Sequence, residues 1–292
     1  MIQFIQQLIN GLSLGSIYAL IALGYTMVYG IIKLINFAHG DIYMLGAYLG
    51  FFATTYLGLS FFPALLVSMI TCALIGVVVE RVAYKPLRKA SRIAALITAI
   101  GVSYLIEALV QRFMGTGVKT YPNVVAETTM HLGEVIISTK QIWIFIITIS
   151  LMVILQYVVK HTRIGRSMRA VSVDSEAAQL MGVNVDTTIS ITFAIGSALA
   201  GAAGVLVGVY YNSINPLMGM VPGVKAFIAA VFGGIGIIPG AMLGGFFIGI
   251  VETLVAGYGS SLYKDLVVYL ILIIVLIFKP SGLLGRNKKE KV

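Results

Sequence analysis

Apolar residues run through this chain in long blocks, and the polar and charged positions gather between the blocks instead of alternating along them. A membrane-crossing helix needs about 20 largely apolar residues, each rising about 1.5 Å. Blocks of about that length occupy 11–32, 41–58, 61–80, 93–114, 141–159, 189–211 and 262–278. The stretch 224–257 is also apolar, but GGIGIIPG at 233–240 divides it, leaving a first piece too short to span. Glycine weakens a helix interior and proline removes a backbone donor, so a broken or re-entrant helix followed by a full span is expected there. The pattern predicts an all-α polytopic membrane protein with about eight transmembrane helices plus the broken segment. The whole of 1–292 reads as one transmembrane domain.

Composition fixes the solvent. With 59% hydrophobic residues, 11% charged residues and a mean hydropathy of +1.00, there is more apolar surface than a soluble fold of this length can hide, so lipid is its medium. A net charge of +9 would point to nucleic acid in a soluble chain. Here the basic residues sit in short segments between apolar blocks, where they set orientation, and no nucleic-acid partner is expected. One such segment holds Arg81, Lys85, Arg88, Lys89 and Arg92; a second holds Lys160, Arg163, Arg166 and Arg169; the tail holds Lys279, Arg286, Lys288, Lys289 and Lys291. All three are expected in the cytoplasm. Segment 115–140 balances Lys119 and Lys140 against Glu127 and Glu134, so it is expected outside, with a small hairpin turning at Gly133. Counting back from Arg81 puts the N-terminus outside, unless a re-entrant piece near Asn36 to Asp41 reverses the count. No cleavable signal is expected in MIQFIQQLIN, and the lone Cys72 excludes an intrachain disulfide.

Small residues four apart recur at Gly11/Gly15, Gly46/Gly50, Ala200/Gly204/Gly208, Gly236/Gly240, Gly240/Gly244 and Gly245/Gly249. They predict helices whose backbones touch.

Several chemistries are missing. No GxxxxGK[ST] loop is present, so any ATP driving transport is hydrolysed on another subunit. His39, His131 and His161 do not converge, and nothing resembles a nucleophile elbow, so neither a metal site nor an enzyme is expected.

The segment 160–188 is a charged stretch inside this apolar chain. Asp174 or Ser172 can cap a short helix with Glu176 in its first turn, where acidic groups complement the helix dipole. Ala177 and Ala178 leave a slim surface for a partner's groove, and Gly182 suits a helix stop. A docking helix over 174–182 is expected, with the basic run 160–169 either part of it or an orientation anchor. Polar groups at Asn36, His39 and Asp41 interrupt apolar sequence near the inner boundary; they either line a path or form an ordinary turn. Gly233, Gly234, Gly236, Pro239 and Gly240 are candidates for a gate or for a tight turn. Glu252 serves packing or path, while Glu107 is expected to bond Gln111 one turn on. Lys225, Lys264 and Asp265 are expected at the outer boundary.

The segments LGYTMVYGIIKLINFAHGDIYMLGAY at 23–48, RIGRSMRAVSVDSEAAQLMGVN at 163–184 and KAFIAAVFGGIGIIPGAMLGGFFIGIVE at 225–252 together resemble the permease subunits of high-affinity branched-chain amino acid ABC importers. The likeness runs over nearly the whole chain and is nearest to the H-type member of the paired H and M permeases. It implies the ABC importer permease fold in a bacterial inner membrane, and a 160–188 loop that couples to the ATPase. It also implies an M-type partner, two cytoplasmic ATPases that hold ATP and Mg, and an extracytoplasmic binding protein delivering leucine, isoleucine or valine. No cofactor is expected on this chain. Related permeases serve urea, short amides or other amino acids. A self-sufficient secondary transporter or channel is the rival of another class, and it would leave the Glu-Ala-Ala segment without a role.

Overall fold

The computed structural model describes residues 2–88 and 90–285. Lys89, Arg286, Lys288, Lys289 and Lys291 of the basic segments lie outside the described residues. Eleven α-helices dominate the described residues: α1 (Ile2–Ile32), α2 (His39–Thr55), α3 (Phe61–Val79), α4 (Arg92–Met114), α5 (Thr139–His161), α6 (Arg163–Val173), α7 (Ser175–Leu180), α8 (Val185–Tyr211), α9 (Met220–Gly233), α10 (Ile238–Tyr258) and α11 (Lys264–Phe278). Six are long and apolar enough to cross a membrane: α1, α3 with its continuation to Leu87, α4, α5, α8 and α10. The helices α2, α9 and α11 have 17, 14 and 15 residues. The all-helical class is as expected, and the division of 224–257 into a short helix and a full one falls at residues 234–237.

Side chains cap the starts of α4, α5, α6, α7 and α8. Ser91 accepts from the Ala94 amide (3.2 Å), Thr162 from Gly165 (3.1 Å) and Asn184 from Thr187 (3.0 Å), while Ser138 and Gln141 form a reciprocal capping box at α5. Lys33 after α1 and Asn212 after α8 take the left-handed conformation, which ends a helix sharply. The expected hairpin is β2 (Thr129–Leu132) against β3 (Val135–Ser138), turning at Gly133 with φ +67°. A second pair, β1 (Lys119–Thr120) with β4 (Ser213–Ile214), was not expected, since two-residue strands leave no alternation to read.

The central helices α1 and α8 are enclosed by neighbours: α1 by α5, α8, α9 and α10, and α8 by α1, α2 and α3. The glycine spacing accounts for that closeness. A Cβ on Gly15 would come within 2.8 Å of the Phe246 backbone, and one on Gly46 within 2.5 Å of the Gly201 backbone; Gly245 and Gly249 lie equally tight on Ala19 and Gly15. Where no hydrophobic drive separates protein from lipid, such backbone contact is what holds helices together. Cys72 fills the same seam as a buried small side chain against Gly201. Outward faces of α3 (Leu66, Ile70, Leu74, Val78) and α4 (Ile93, Ile97, Tyr104) stay exposed, as lipid-facing surfaces do.

Candidate functional site

At one end of the bundle the chain leaves α5, folds into α6 and α7, and returns as α8. The helix α6, in the run read as an anchor or a docking segment, buries Gly165, Met168 and Val171 at spacing three and keeps Arg163, Arg166 and Arg169 outward. The expected short helix is α7. Asp174 is its cap, accepting from the amides of Glu176 (2.9 Å) and Ala177 (3.0 Å). Gly182 closes it in the left-handed region (φ +84°), with its amide on the Gln179 carbonyl (3.0 Å) and the Val183 amide on Ala178 (3.0 Å). Ala178 faces inward, whereas Glu176 and Ala177 are exposed. Apolar Val173, Leu180 and Met181 are 80%, 89% and 84% exposed.

From Gly182 the chain runs straight into α8, and charges tie that entry to the α3 end. Asp186 pairs with Lys85 (2.7 Å) and Arg88 (2.5 Å). Arg88 also pairs with Glu80, whose other oxygen accepts from Ser190 (2.6 Å). Glu80 opens a π-helical turn, Glu80–Tyr84, and Tyr84 donates to Asn36 Oδ1 (2.8 Å). A single succession of side chains therefore connects the base of α7 to the break after α1.

That break is an interior feature. After α1 the chain turns back, and Asn36, His39 and Asp41 are each buried. The His39 ring stands edge-on to Tyr25 at 4.8 Å and fills the space over Gly24. The first turn of α2 meets the first turn of α9: a Cβ on Gly40 would lie 2.6 Å from the Gly219 carbonyl oxygen, and one on Gly223 3.0 Å from Gly40 Cα. Beside this crossing is a cavity of about 290 Å³, lined among others by Tyr25, Asp41, Ser103, Glu107, Gly219 and Met220. Ser103 donates to Asp41. Glu107 thus faces the cavity with Asp41, and among the described residues it has no hydrogen bond to Gln111; the shared space, not the helix, decides its place.

The segment 233–240 is a close-packed turn. Gly233 lies against the Gly240 backbone, Gly234 and Gly236 have φ of +108° and +92°, and Pro239 sits in the first turn of α10. The chain beyond α11 covers it, the amides of Leu283 and Leu284 bonding the carbonyls of Phe232 (2.8 Å) and Gly233 (3.2 Å). Those bonds satisfy carbonyls that the end of α9 leaves free.

Lys225 departs from its expected boundary position. It is 2% exposed: its ammonium donates to Glu252 Oε1 (2.7 Å) and is ion-paired with Asp265 Oδ1 at 2.6 Å, and α9 starts inside the bundle. Tyr18 donates to the other Glu252 oxygen (2.8 Å), and Lys264 lies 3.6 Å from Glu252. The charges are two of each sign, so the group is neutral as a whole. Ser103, Gly219 and Tyr84 were not legible as site residues, since their partners are distant in sequence.

The described residues contain no cluster of three metal-ligating side chains. The chain is similar to known proteins over nearly its whole length. The profile of a family described as "Branched-chain amino acid transport system / permease component" matches residues 7–276. The high-affinity branched-chain amino acid transport system permease protein BraD of Pseudomonas aeruginosa is 46% identical over 99% of this chain and 98% of that protein. The LivH permease protein of the same description from Escherichia coli is 44% identical over 99% and 98%. A probable LivH of Methanocaldococcus jannaschii is 28% identical over 94% and 90%. The chain therefore belongs to the branched-chain amino acid transport system permease family.

Proposed function

We propose that this chain is the H-type transmembrane subunit, with the ABC importer permease fold, of an importer that moves leucine, isoleucine and valine into the cytoplasm. It is a multi-pass protein of the inner membrane and a transport permease, not an enzyme. The observation that carries the reading is α7: a capped helix with Leu180 and Met181 bare, on a chain whose sequence holds no nucleotide-binding loop. Exposed apolar side chains grouped at one end of a bundle fit a groove on a partner. Two ATPase subunits, holding ATP and Mg, dock there. An M-type permease completes the transmembrane core, and an extracytoplasmic binding protein delivers the solute.

On this reading the end with α6, α7 and the basic segments is cytoplasmic, and the N-terminus and the β2–β3 hairpin face outward. Movement of α7 reaches α8 through Gly182, then passes by Asp186, Arg88 and Glu80 to Tyr84 and Asn36, next to the solute path at Asp41. The 233–240 segment acts as a fixed turn, because the 281–285 chain locks it. Isolation of the tagged chain from its native membrane tests the assembly. A second permease and ATPase subunits are expected as companions; a lone homo-oligomer would contradict the reading.

A further inference from the structure

Three carboxylates are buried among the described residues: Asp41, Glu80 and Glu252. Glu80 has Arg88 and Glu252 has Lys225, whereas no ion pair of the described residues includes Asp41. Asp41 is 2% exposed, accepts from the Ser103 hydroxyl, and faces the cavity of about 290 Å³. A buried carboxylate without a cation is costly, and inside a membrane such a group marks the place where a charged ligand passes. Glu107, half-buried and also without an ion pair, lines the same space.

The opposite charge is answered as well. Gly219 and Met220, at the start of α9, line the cavity, and the first amides of a helix have no partner within it. Transporters place the positive ends of interrupted helices against anionic solute groups. Tyr25, Phe37, Ile100 and Val224 complete the lining with apolar surface. The volume is at the small end of ligand pockets, which run from about 300 Å³ upward.

We infer that this cavity is a way-station for a zwitterionic aliphatic amino acid, with its α-ammonium on Asp41 and Glu107, its α-carboxylate at the first turn of α9, and its side chain on Ile100 and Val224. The inference rests on the import reading above and gives the permease a share in selecting its solute. The zwitterion adds no net charge to the site, and no ion pair within the protein has to break when it leaves.

Binding of labelled leucine to the purified, complete importer without its binding protein tests this, in parallel with leucine uptake by the same importer in proteoliposomes supplied with the binding protein and ATP. Saturable binding is expected, displaced by valine but not by 4-methylpentanoate, which lacks the ammonium, nor by isoamylamine, which lacks the carboxylate. Asp41→Asn should weaken binding by about tenfold or more, the effect of losing a charge-assisted bond. Val224→Phe, which narrows the cavity, should weaken leucine more than valine. Import without saturable binding, displacement by either analogue, or variants that bind both amino acids as the parent does would overturn the site. Binding without import would overturn the import reading instead.

Discussion

Lys225 holds Glu252 and Asp265 together inside the bundle, and its value lies in what would be left without it. Removing one partner of a buried pair strands a charge, at a cost of about 3–5 kcal/mol, whereas removing both is often close to neutral. Lys225→Met should therefore lower the thermal midpoint of the purified complex sharply, and adding Glu252→Gln should restore a large part of the loss. Strictly additive losses in the double variant would show that the two are uncoupled. At this scale, legibility followed locality. Asp174 and Gly182 took the roles their residue types suggest, because a cap and a left-handed stop depend on neighbours within a few positions, whereas Ala178, expected on the partner-facing surface, is buried against the bundle. Asp41 was picked out as polar in apolar sequence, but its partner Ser103 stands 62 residues away, and no spacing rule reaches that far.

Among the elements, α7 depends most on one backbone conformation. Nothing lies within 4 Å of a Cβ placed on Gly182, so its requirement is the positive φ and not space. A β-branched side chain resists that region at a cost of about 1–2 kcal/mol, whereas asparagine tolerates it. Gly182→Val should therefore abolish uptake at unchanged membrane abundance, while Gly182→Asn should retain most of it; equal uptake by both would remove the turn from the mechanism. The helix α6 was readable in principle, since Gly165, Met168 and Val171 mark one face, but its three arginines drew the reading toward a loop. The turn at 233–240 was located from glycine and proline alone. Its covering by Leu283 and Leu284 was not, because backbone bonds between distant segments carry no signature in residue type.

For the whole molecule, block length and apolarity identified the membrane class and the long helices, and glycine spacing identified the seams between them. Where α2 and α9 begin was beyond reach, since their depth is set by the Gly40 contact with Gly219 across 179 positions. That contact borders the cavity, and ion pairs and hydrogen bonds at Asp186, Arg88 and Glu80, with the π-helical turn to Tyr84 and its bond to Asn36, run from the start of α8 to the break after α1. The account stands on a branched-chain solute being moved by force applied at α7. Labelled leucine uptake, in a strain deleted for this gene and complemented with the parent or with Ala177→Arg, measures that claim most directly. The account predicts restored uptake with the parent, competed by valine but not by urea or acetamide, and near-background uptake with Ala177→Arg at equal abundance in the membrane. Full leucine uptake through the Ala177→Arg protein, or none through the parent, would contradict it.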